Sequence, residues 1–144
     1  MNNSVTLSGT KTRPSRALHI SLWIVQILLA VMFSMAGFMK STMPIPELAQ
    51  KLVWVGSTPV ILVRFIGLCE LAAAIGLIVP SALRILPELT PLAATGLLAI
   101  MILAVPFHIQ RGEANLLAVP IVLGSLAAFV AWGRLRAAPI SRRG

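Results

Sequence analysis

Four apolar runs, near residues 18–39, 60–79, 91–109 and 116–133, leave this chain little choice of fold. Each is close to the roughly 20 residues that an α-helix needs to cross the hydrocarbon of a bilayer, and Pro, Gly and charged residues separate them. The expected fold class is therefore all-α, an integral membrane four-helix bundle. Four spans and their connections consume nearly all of the 144 residues, so no separate catalytic domain fits. With 58% hydrophobic and 11% charged residues, the composition agrees, because a soluble domain of this size needs a much larger polar share to cover its surface.

The remainder reads as flanks and connections. Residues 1–17 are polar, acid-free and contain Gly9 and Pro14, which predicts a disordered tail rather than a transit peptide. The membrane domain is expected over 18–134 and a basic C-terminal tail over 135–144. "SMAG" at Ser34 to Gly37 satisfies a small-x-small cleavage pattern, but the apolar run around it exceeds a signal-peptide core and three more spans follow, so it is read as part of a span. After the first span, Leu48, Leu52 and Val55 recur at helical spacing beside Trp54, predicting a short interfacial helix between the first and second spans. Thr90-Pro91 carries a helix-start signal, with an oxygen-bearing cap and proline at the first helical position. Gly112 is placed to close the third span with a left-handed residue. Pro106 and Pro120 fall near span ends on one side, where kinks are tolerated.

Charge then sets orientation and narrows the partners. Twelve Lys and Arg against four Glu and no Asp give a formal charge of +8. Most of the basic residues flank the membrane domain with no zinc spacing or aromatic ladder among them, which argues for anionic lipid and against nucleic acid. An even number of spans puts both termini on one side. That side holds Lys11, Arg13, Arg16, Arg84, Arg134, Arg136, Arg142 and Arg143, against Lys40, Lys51 and Arg111 opposite, so both termini are expected in the cytoplasm. Cys69 is the single cysteine, which removes intrachain disulfides, C-x-x-C chemistry and sulfur-rich metal sites; it is read as helix packing.

The second span poses the functional question. Val60 to Val79 covers about 30 Å at 1.5 Å per residue, so Glu70 sits near the bilayer midplane and Arg64 about 9 Å away along the axis. A charge at that depth costs on the order of 2.5–3.5 kcal/mol, so Glu70 is expected to face the bundle interior with a partner or a proton. Six residues separate it from Arg64, which leaves them about 120° apart around the helix and unable to pair as residues three or four apart do. Gly67, midway, opens a gap for another helix, a water or a ligand, and Ala73 and Ala74 extend a small-residue face. Lys40, His108 and Glu113 reach the same half of the membrane. These residues predict one ionic cluster of Lys40, Arg64, Glu70, His108 and Glu113. It has three readings: a device that fixes helix register, a buried carboxyl that exchanges a proton or binds a polar headgroup, and interfacial snorkelling by Lys40 and Arg64, which leaves Glu70 unexplained.

Other polar residues say less. Gln26 is expected to make a structural hydrogen bond across helices. His19 and His108 lie at opposite faces and cannot be the two axial ligands of one haem. Without Asp there is no Ser-His-Asp set, and no phosphate loop of the G-x-x-x-x-G-K-[ST] type occurs. The residues therefore name no metal. Met32, Met35, Met39 and Met101 read as adaptable packing.

The segments "AGFMKS", "RFIGLCELAAAIGLIVP", "LTPLAATGLLAIMILAVPFHIQRGE" and "VPIVLGSLAAFVAWGR" resemble the DoxX-like family of small bacterial four-helix membrane proteins over about residues 32–134. The more specific part is R-x-x-G-x-x-E-L joined to H-x-x-R-G-E at the end of the next span. The resemblance implies a four-helix bundle in the bacterial inner (plasma) membrane. It points to Lys40, Arg64, Gly67, Glu70, His108 and Glu113 as the positions matching the family's polar pattern. A founding member is associated with a quinone-linked thiosulfate-oxidising complex, and relatives are linked to redox stress or membrane-protein assembly. Three function classes stay open on this basis. The leading one is an accessory or ligand-binding subunit attached to a redox partner or to further copies of itself, with a quinone as the one cofactor suggested. The others are a small transporter or proton pathway using Glu70, and a membrane-embedded enzyme with Glu70 or His108 as acid or base.

Overall fold

The computed structural model describes residues 15–143, so most of the expected polar tail, residues 1–14, lies outside the described residues. Four long helices dominate: α1 (Arg16–Thr42), α3 (Val60–Leu83), α4 (Leu89–Gln110) and α5 (Ala118–Trp132), with a short α2 (Ile45–Lys51) between the first two. Short 3₁₀ turns occupy Val53–Ser57 and Ala114–Leu116, and α5 runs on into a π-turn over Gly133–Ala137. Among the described residues there is no strand.

Local chemistry sets the boundaries. The Ser15 hydroxyl accepts the Leu18 N–H at 3.2 Å, so α1 starts at Arg16, slightly ahead of its apolar run. It stops at Met43, which is extended because Pro44 disfavours a helical residue before it. Arg84, in the left-handed conformation, ends α3. Gly112 closes α4 as expected, with φ +70°: its N–H reaches the Ile109 carbonyl at 3.0 Å and the Glu113 N–H reaches that of His108 at 2.9 Å. Thr90 behaves differently from its expected role as a cap. The helix already starts at Leu89, and the Thr90 hydroxyl pairs with Ser81 of α3 at 2.7 Å. A buried hydroxyl finds its partner across the interface here because the α3–α4 turn brings the two helices together at that level.

The long helices pack in a ring, α1 on α3, α3 on α4, α4 on α5 and α5 on α1. Each buries one stripe at steps of three and four: Leu22, Gln26, Leu29, Phe33, Gly37 and Lys40 on α1; Val63, Gly67, Glu70, Ala74, Leu77 and Ser81 on α3; Thr90, Ala94, Leu97 and Met101 on α4; Pro120, Leu123, Ala127 and Val130 on α5. The opposite faces are equally apolar, with Ile24, Val31, Phe38, Ile61, Phe65, Ile75 and Leu103 among the large exposed side chains. Such an outer surface belongs against acyl chains. Lipid tails are as apolar as leucine, so close packing and polar contacts, rather than hydrophobic expulsion, hold these helices together.

The expected interfacial segment is present as α2 and the following 3₁₀ turn. Leu48 and Val55 are completely or almost completely buried and form a second small core with Val63 of α3, flanked by Trp54. Its apolar side therefore rests on the bundle end. That end is the far end, since Arg134 just after α5 bonds to His19 and Gln26 of α1 and places the start of α1 and the close of α5 together at the opposite, terminal end.

Candidate functional site

The middle of the bundle is apolar, built from Leu29, Phe33, Leu77, Leu97, Leu123 and Val130. Polar side chains interrupt the stripes only toward the two ends. Toward the far end, Lys40 on the last turn of α1 donates to both carboxylate oxygens of Glu70, at 2.8 and 2.7 Å, and both residues are buried. Glycine makes the reach short. A Cβ at Gly67 would lie 2.8 Å from the Lys40 Cβ and 2.8 Å from the Ser41 hydroxyl, and one at Gly37 would lie 2.7 Å from the Gly67 carbonyl. The space left by Gly67 is thus filled by α1 itself, and of the occupants considered from sequence it is the helix that takes it.

Arg64 serves the same helix end from another direction. Its two terminal nitrogens donate to the carbonyls of Lys40 and Met43, at 2.6 and 2.8 Å. Those are carbonyls that α1 cannot satisfy within itself, and a cation at this pole also suits the helix dipole. As the spacing of six predicts, Arg64 and Glu70 do not pair.

His108 and Glu113 form a separate group. The closing turn of α4 folds the Glu113 carboxylate back so that one oxygen lies 2.7 Å from His108 Nδ1 and the other accepts from Arg111 Nε at 2.9 Å. The hydrogen bond with His108, together with neighbouring Arg111, holds the Glu113 carboxyl below its ordinary range. Arg111 also donates to the Ser57 hydroxyl and lies over the Phe107 ring, 5.5 Å from its centroid. Phe107 in turn meets Trp54 and His108 edge-on, at 6.0 and 5.6 Å. The five-residue cluster expected from sequence is therefore two groups. Among the described residues no hydrogen bond or ion pair links the Lys40–Glu70 and Arg64 set to the His108–Glu113–Arg111 set.

At the terminal end the sequence reading anticipated Gln26 alone. Gln26 is fully buried; its amide donates to the Leu77 carbonyl of α3 at 2.6 Å, and its oxygen accepts from Arg134 Nε at 2.6 Å. Arg134, counted from sequence among the flanking charges, is only 4% exposed. Its Nη1 donates to His19 Nδ1 at 3.0 Å and to the Ala138 carbonyl at 3.3 Å, and its guanidinium lies 5.5 Å from the Trp23 ring centroid. Burial was legible in the register, because Leu123, Ala127 and Val130 step by four and three and the next position on that stripe is Arg134. Arg111, a far-side charge and the arginine of H-x-x-R-G-E, lies outside the cluster expected from sequence. Among the described residues, no three His, Cys, Asp or Glu side chains come together as a metal site.

No curated protein and no solved structure matches the chain. Its four long apolar helices make it a multi-pass membrane protein. Residues 24–130, covering all four spans in large part, match the family model described as the DoxX-like family, and the chain belongs to that family.

Proposed function

We propose that the protein is an accessory, ligand-binding membrane subunit of a redox system, and that its ligand site is the His108–Glu113–Arg111 group at the far end. The single observation behind this reading is the His108–Glu113 hydrogen bond at 2.7 Å. A carboxylate on one imidazole nitrogen fixes the ring and leaves the other nitrogen to exchange a proton or a hydrogen bond with a bound group. Nε2 of His108 makes no hydrogen bond among the described residues. Arg111 adds a fixed positive charge beside it, and Trp54 and Phe107 supply apolar faces. A small polar headgroup on an apolar body, such as a quinone, suits that combination. An inner-membrane location with both termini in the cytoplasm is part of the same proposal.

Glu70 as a proton carrier has less support. Both its oxygens are occupied by Lys40, and α1 closes over Gly67.

Purification from native membranes in mild detergent tests the reading. A copurifying quinone or redox partner is expected with the wild type, reduced about tenfold or more for His108→Ala, which corresponds to about 1.4 kcal/mol or more of binding energy. Monodisperse protein carrying neither would dismiss it.

A further inference from the structure

The Arg134 guanidinium carries five N–H groups. Nε and Nη1 are used, on Gln26, His19 and the Ala138 carbonyl, and all three acceptors are neutral. Nη2, buried, has no acceptor among the described residues. The chain has no side-chain carboxylate to offer. Its four acids are Glu47, exposed on α2 at the far end; Glu70, held by Lys40; Glu113, held by His108 and Arg111; and Glu88, exposed and paired with Arg142 at 3.1 Å. A guanidinium removed from water without a counter-charge is among the costliest groups a membrane protein can hold.

From this imbalance we infer that the terminal end, between α1 and α5, is a binding site for a phosphate oxyanion, with Arg134 as its specific contact. The two hydrogens of Nη2 are the donors left over, and charge-assisted bonds from a guanidinium to phosphate oxygens are the strong kind. The position suits a headgroup. His19 is one turn into α1 from Arg16, so Arg134 lies where a span meets the lipid phosphates, and Arg16 and Arg136 are exposed at the same end. Accepting at Nδ1 from Arg134 leaves the His19 proton on Nε2, a further donor. Arg134 continues the buried stripe of α5 into the π-turn at Gly133–Ala137, which closes with Ala138 N–H on the Gly133 carbonyl at 2.7 Å.

The phosphate has two sources, an anionic phospholipid or free inorganic phosphate. The test uses the full chain reconstituted in phosphatidylcholine, with or without phosphatidylglycerol, or with inorganic phosphate added. It reads the unfolding midpoint and the lipid retained after extraction. Phosphatidylglycerol is expected to raise the wild-type midpoint and to be retained about tenfold over phosphatidylcholine, with retention surviving about 1 M salt, where the screening length has fallen to about 3 Å. Arg134→Lys, which keeps the charge and loses the planar group that fixes Nη2, should abolish that preference, while Arg16→Gln and Arg136→Gln keep it. A shift produced equally by inorganic phosphate in phosphatidylcholine would support the site and assign it to soluble phosphate. Equal loss in all three arginine variants would overturn it as general surface attraction. So would a wild type indifferent to both phosphate sources, or one that releases phosphatidylglycerol in high salt, and those two outcomes need no folded variant.

Discussion

The two ends of the bundle treat buried cations in opposite ways. Toward the far end Lys40 meets a carboxylate of its own chain, whereas at the terminal end Arg134 meets only neutral acceptors among the described residues. With four acids in the chain and one of them buried, the fold can neutralise one such cation from within. The first layer is a closed fastener between α1 and α3. The second has donor capacity left over, and that distinguishes a packing device from a place where something else can bind.

The sharpest way to break the comparison is to remove one partner from the closed layer. Lys40→Ala or Glu70→Ala should each cost about 3–5 kcal/mol, because the remaining charge is stranded in the interior. The joint change to Met at both positions should cost less than either single variant. Denaturant unfolding in detergent measures this, and a double variant as damaged as the sum of the singles would mean the two groups are not compensating each other. Arg134→Met should cost less, about 1–3 kcal/mol, since it strands the neutral Gln26 acceptor and no charge. A loss at Arg134 equal to that at Lys40 would erase the distinction between the layers.

Close approach is the other support of the closed layer. Gly67→Ala puts a Cβ 2.8 Å from the Lys40 Cβ and 3.0 Å from the Gly37 carbonyl. Backbone cannot yield as a flexible side chain does, so about 1–3 kcal/mol of overpacking is expected. A helix is the occupant here. Retained wild-type stability in Gly67→Ala would instead mean that α1 stands further off and the gap is real.

Much of the fold could be read from sequence because span length and the spacing of apolar residues are local properties. The four runs, the short helix after the first and the glycine closure at Gly112 all depend on a few neighbouring residues, and all are present. The site was harder to read because it depends on which stripes face each other. Lys40, Glu70, His108 and Glu113 were picked out by chemistry and by depth along the axis. Depth alone does not separate residues on different sides of a ring of helices, so they appeared as one cluster. Thr90 has the sequence context of a cap, and nothing local reveals Ser81 on the facing helix. Arg134 has the local context of a flanking charge, although it continues the stripe of Leu123, Ala127 and Val130. Extending the register through the polar flank would have buried it.

The smallest effect expected separates the far-end surface group from both buried layers by pH. Hydrogen bonding with His108 and the neighbouring Arg111 hold the Glu113 carboxyl below its ordinary range. A carboxyl whose folded value lies below its unfolded value, about 4.3 for Glu, stabilises the fold above that unfolded value. The contribution is lost as pH falls through the lower, folded one. The wild-type midpoint in detergent should therefore drop on acidification through that window, and Glu113→Gln should remove part of the drop by starting from a slightly lower midpoint at neutral pH. Arg134→Met, which touches no acid, should keep the full wild-type acid loss. If Glu113→Gln follows the wild-type curve instead, the carboxylate is not held by His108 and Arg111, and the oriented imidazole on which the proposed ligand site depends is lost with it.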